Sequence, residues 1–72
     1  MAARRQPNIG ELWQTTAAIF LGAGGWTRAG QIVTVVEQKE GLVGQEFFVV
    51  TDGGGGWISE HCRLWEPVDE AG

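Results

Sequence analysis

The chain has 72 residues, 43% of them hydrophobic, with nine Asp and Glu against five Lys and Arg for a formal charge of −4, one cysteine and one histidine. One cysteine rules out an intramolecular disulfide, and one Cys with one His falls short of the three or four protein ligands of a zinc site. Within 9–66 only Arg28, Lys39 and Arg63 oppose seven carboxylates, a balance that argues against nucleic-acid binding built on phosphate contacts.

Residues 1–8 carry Arg4 and Arg5 with no apolar run behind them, so they read as a flexible segment, neither secretory signal nor anchor. The longest apolar run, Ala17 to Leu21, is far shorter than the roughly 20 residues that cross a bilayer, and a cytoplasmic protein without membrane contact is expected. Twelve glycines and the lack of sustained three-to-four apolar spacing point away from helix, leaving β structure. Residues 9–14 form the first expected strand, with Leu12 and Trp13 on opposite sides. Residues 15–29 then read as an arm that breaks at Gly22, Gly24 and Gly25 into a long glycine-hinged loop.

The two strongest strands are 31–37 and 45–51, rich in β-branched and aromatic residues, and 38–44 reads as the polar, glycine-containing connection between them. Gly53 to Gly56 are expected to make a tight turn into a strand at 57–59. Residues 60–63 suit one 3₁₀ turn, 64–66 a short last strand, and Pro67 a stop, with 68–72 a loose acidic tail. The two central strands are apolar on both faces: Ile32, Thr34 and Val36 against Val33 and Val35, and Phe47 and Val49 against Phe48 and Val50. So short a chain cannot cover both faces unaided, which predicts an exposed apolar patch of the kind that marks protein interfaces.

Strand, long loop, three-stranded meander, 3₁₀ turn and short last strand is the order of a small barrel. The stretch from Gly56 through Trp57, Ile58, Ser59, Glu60, His61, Cys62 and Arg63 to Leu64 resembles the passage from fourth to fifth strand in SH3-type domains, and the likeness in layout spans 9–67. It implies an all-β, five-stranded SH3-like barrel and no particular activity. The chain has no tyrosine, whereas the signalling branch of that family reads proline-rich peptides through a tyrosine-rich groove. Gly30, Gln31, Ile32 and Val33, preceded by Trp26, also resemble a strand start in the plasmid-type dihydrofolate reductases, tetrameric barrels of the same kind. Their pore motif falls here on Trp57, Ile58, Ser59, Glu60 and His61, which departs from it and does not carry the reductase chemistry. In size and compactness the chain resembles small accessory proteins of phages and mobile gene cassettes.

Leu21 to Thr27 superficially matches a dinucleotide-binding turn, but a strand by Gln31 leaves no room for the helix that would hold the pyrophosphate, and a loop hinge is the better reading. Gly53 to Gly56 lacks the Lys-Ser/Thr of a phosphate loop. Glu60, His61 and Cys62 alone have acid, base and nucleophile side by side. Neighbouring extended residues point apart, so Cys62 is read as a small core residue and His61 as a surface group with a pH-sensitive contact as one role. No catalytic residue, metal or cofactor is assigned. Of the four tryptophans, Trp13 and Trp57 are expected in the core, and Trp26, Phe48, Val50 and Trp65 as contacts for a protein partner or a second copy. Under the reductase-like alternative, Trp57, Ser59 and His61 would line a small-molecule site between subunits.

Overall fold

The computed structural model describes residues 5–68; of the segments expected to be loose, 1–8 and 68–72, residues 1–4 and 69–72 lie outside the described residues. Five antiparallel strands form one sheet: β1 (Leu12–Thr15), β2 (Ile32–Gly41), β3 (Gly44–Thr51), β4 (Gly54–Ser59) and β5 (Trp65–Pro67), in the spatial order β4-β3-β2-β1-β5. None of the helical structure described is long and apolar enough to cross a membrane.

Alternation along the strands sorts the side chains. Trp13, Val33, Val35, Phe47, Val49, Ile58 and Trp65 are buried on the inner face, and Ile19 and Leu21 from the loop join them. Trp13 and Trp65 pack with ring centroids 4.7 Å apart, and Phe47 lies 6.4 Å from Trp65. Trp65, expected as an exposed contact, is therefore core. Its register opposite Thr15 turns it inward while Leu64 and Glu66 stay exposed. Trp57, expected in the core, takes the opposite parity from Ile58 and is 36% exposed.

The β2–β3 hairpin is longer than its sequence suggests. Residues 38–40, expected as connection, continue the ladder, and Leu42 and Val43 alone form the turn. Cross-strand polar pairs hold this end in place of a core: Gln38 Nε2–H donates to Gln45 Oε1 at 2.9 Å, and Lys39 pairs with Glu46 at 3.8 Å. The β2–β3 register slips once, between Val35 and Glu37, at a β-bulge.

The segment 16–31 doubles back as a narrow ribbon. Phe20 and Trp26 bridge, Thr27 N–H donates to the Ile19 carbonyl, and a 3₁₀ turn at Gly22–Gly24 reverses the chain. No helix follows that turn, so the loop-hinge reading of these glycines stands. The ribbon turns Ile19, Leu21 and Thr27 inward and lies against β4. Here Gly54, Gly55 and Gly56, expected as a turn, are strand residues paired with Thr51, Val50 and Val49, and the turn is Asp52 and Gly53. A Cβ at Gly56 would run into the Leu21 carbonyl and side chain, and one at Gly24 into the Gly55 backbone. The glycine run is thus a bed for the ribbon.

The helical turn expected at 60–63 is a single hydrogen-bonded turn, in which Cys62 N–H donates to the Ser59 carbonyl at 3.0 Å. Residues 5–8, expected outside the domain, lie along it: Pro7 is buried and Gln6 Nε2–H reaches Glu60 Oε1 at 2.7 Å. Arg5 makes a two-pronged contact with the Glu11 carboxylate and lies over the Trp13 ring at 5.7 Å, while the Trp13 indole N–H donates to Glu11 at 2.9 Å.

Two stability measurements follow from this packing. Gly56→Ala forces the ribbon off β4 and should cost about 1–3 kcal/mol in denaturant unfolding, whereas Gly53→Ala, whose Cβ would meet only Thr51 Oγ1 at 3.8 Å, should cost little. Equal losses would mean that the ribbon does not rest on that glycine. The second concerns Glu11, whose carboxyl is held down to about 2, first by the hydrogen bonds from Arg5 and then by the Trp13 and Asn8 N–H groups, against the cost of partial burial. A carboxyl depressed in the folded state adds stability that is complete above the ordinary value of 4.5 and is lost as pH falls toward about 2. Glu11→Gln should therefore cost of order 1–2 kcal/mol at neutral pH, a figure tempered by the solvent-open Arg5, and progressively less as pH falls through about 2. A difference independent of pH would contradict this account.

Candidate interaction surface

The outer face of the sheet is apolar where a small soluble domain would normally be polar. Its rows follow from the register. Leu12, Thr34, Val50 and Gly55 stand side by side across β1, β2, β3 and β4, and Glu37, Phe48 and Trp57 form the next row across β2, β3 and β4. Lys39, Glu46 and Ser59 make a third. Ile32 and Leu12 are 44% and 48% exposed, bulged Val36 is exposed, and Phe48 and Val50 are half-buried. Phe48 and Trp57 meet edge to face, 5.2 Å between centroids, and the Lys39 ammonium sits 4.4 Å from the Trp57 ring.

A second aromatic pair lies on the ribbon. Phe20 and Trp26 point away from the core, 58% and 66% exposed, with centroids 5.2 Å apart. Phe20 was not singled out from the sequence, although its bridge to Trp26 makes the two a unit. Of the four residues expected to contact a partner, Trp26 thus stands on the ribbon, Phe48 and Val50 on the sheet face, and Trp65 in the core.

Glu60, His61 and Cys62 do not converge on a reacting centre. Glu60 accepts the Gln45 N–H at 2.6 Å and the Gln6 amide, and these two bonds, the backbone one foremost, hold its carboxyl below the ordinary value. The exposed His61 ring, as the Nε2–H donor, reaches the Val43 carbonyl at 2.8 Å, and its backbone N–H donates to Ser59 Oγ. Cys62 is partly buried against the core. Glu60 and His61 therefore brace the distal end of the β2–β3 hairpin. Trp57 and Ser59 share the outer face of β4 and His61 lies beyond its end, tied to the hairpin. No group of His, Cys, Asp and Glu that could hold a metal occurs among the described residues.

No family model matches the chain, and no curated protein or solved structure matches it either.

Proposed function

We propose that the chain is an SH3-like interaction domain that acts by seating the outer face of its sheet on a protein surface. The strand order β4-β3-β2-β1-β5, with one long loop between β1 and β2, supports the SH3-like assignment. The observation that carries the functional reading is the half-open row of Phe48 and Trp57, extended by Val50, Leu12 and Ile32. Aromatic side chains of this kind dominate binding energy when a partner desolvates them. Leaving them in water gains the fold nothing, since the inner face already encloses a complete core. Acidic residues, Glu37 and Glu46 among them, give the face a polar rim, as interfaces have.

The test is photo-crosslinking in the cells that encode the chain, with p-benzoylphenylalanine in place of Phe48 and, as control, of the exposed Arg63 in the turn before β5. The expected result is a discrete protein adduct from position 48, to another chain or to a second copy, in a yield well above that from position 63. Equal or absent adducts at position 48 would overturn the reading.

A further inference from the structure

Among the described residues the outer rows of the sheet hold one cation, and the way it is held says what the face lacks. Lys39 stands opposite Glu46 and reaches across β3, so that its ammonium lies 3.8 Å from that carboxylate and 4.4 Å from the centre of the Trp57 ring. Carboxylate and indole together keep it there. The same combination recurs one row along the sheet without a cation. Glu37 on β2 stands opposite Phe48 on β3 and is exposed, and its carboxylate has no ion pair or hydrogen bond among the described residues. The Phe48 ring leans the other way, toward β4, where a Cβ on Gly55 would stand 3.0 Å from its Cζ. That lean leaves room beside Glu37 for one more side chain. The chain's own cations do not fill it: Lys39 is engaged, Arg5 is held on Glu11 and Trp13, Arg28 lies at the base of the ribbon and Arg63 in the turn before β5. A second copy turning the same face brings no uncommitted cation to it either.

Resting on the interaction reading above, we infer that the outer face takes a segment of a different protein that presents an arginine or lysine, its cationic head between Glu37 and Phe48 and its apolar neighbours on Val50, Leu12 and Ile32. Charge complementarity selects this occupant. Of the charged side chains on the outer rows, Lys39 and Glu46 cancel, whereas Glu37 and Glu66 are unneutralised. The chain as a whole carries −4. Such a surface draws a basic partner and turns away an acidic one. Arginine fits best, because its planar head stacks on a ring and pairs with a carboxylate at once. Lysine does both as a point charge, as Lys39 shows. The strip is narrow: from β2 to β4 it is two strand spacings, about 10 Å. That width suits a linear segment a few residues long. Binding through so small a contact is weak and falls with salt.

The probe is a phage-displayed library of random linear peptides, selected on the wild type, with the best binders synthesised and titrated by fluorescence anisotropy. The selected peptides should be enriched in arginine or lysine next to apolar residues. Glu37→Arg removes no ion pair among the described residues, so the fold stays intact, which near-UV circular dichroism checks. It should weaken the peptides by at least about tenfold, as like charges brought together in an interface do. Glu37→Gln should weaken them severalfold and flatten the salt dependence. Glu40→Arg makes the same charge change opposite Gln45, on the other side of the hairpin, and should leave binding nearly unchanged. Peptides without basic enrichment, or basic peptides that Glu37→Arg weakens no more than Glu40→Arg does, would overturn the proposal. Crosslinks from position 48 to a protein partner, with no peptide that depends on Glu37, would refute the basic segment and leave the interaction reading standing. Neither crosslinks nor binders would remove both.

Discussion

Leu21 lays its carbonyl and side chain on Gly56 because position 56 has no Cβ to hold it off. Much of the architecture hangs on that approach. β4 and β5 are the two ends of the sheet and share no ladder among the described residues, so the sheet by itself leaves the core open on one side. The ribbon of 16–31 covers the edge of β4 and brings Ile19 and Leu21 onto the core. Its base is fixed from β1, where the Thr15 hydroxyl donates to the Arg28 carbonyl and accepts the Gln31 N–H. An edge strand with exposed ladder groups invites pairing with other chains, and covering it with a loop is one of the established ways to prevent that.

The face is available because the inner layer is already full. Trp13 sits at the centre of the core against Trp65, with its indole N–H on Glu11 and Arg5 across its ring, so the polar edge of the largest side chain is satisfied. A second apolar layer on the outside adds nothing to this enclosure. The same reasoning explains why Glu60, His61 and Gln6 serve structure. The distal half of the hairpin projects past the core, and in place of packing it is held by Glu60 on the Gln45 N–H and His61 on the Val43 carbonyl. Leu42 and Val43 at its tip are consequently exposed.

The fold was legible where burial imposes a period. β1, β3 and the first half of β2 alternate cleanly, and the core place of Trp13 and the apolar double face could be read from them. Three things could not. Gln38, Lys39 and Glu40 have water on both sides, so their strand leaves no apolar period and looks like loop. Gly54 to Gly56 look like a turn because the reason for them, the approach of Leu21 and Gly24, is remote in sequence. Trp65 and Trp57 exchange their expected places for two reasons: β5, of three residues, is too short to show its parity, which only the Thr15 pairing determines, and β4 opens with three glycines that carry no pattern ahead of Trp57. Phe20 was missed for a similar reason: it is the outward residue of an apolar run whose neighbours Ile19 and Leu21 face in.

The bulge at Val36 links the fold to the surface. Were the ladder unbroken after the pairing of Val35 with Val49, residue 36 would stand opposite Phe48 and residue 37 opposite Phe47, on the core side. Glu37 would then take the inner parity beside Phe47, the place Gln38 holds, and Lys39 would stand opposite Gln45. One inserted residue reverses the parity of everything after it. Glu37 moves beside Phe48, Lys39 comes into reach of Trp57, and Gln38 takes the inner parity at the solvent-washed end of the hairpin, where its amide finds Gln45. The presence of both Glu37 and Lys39 on the outer face is therefore a consequence of this irregularity.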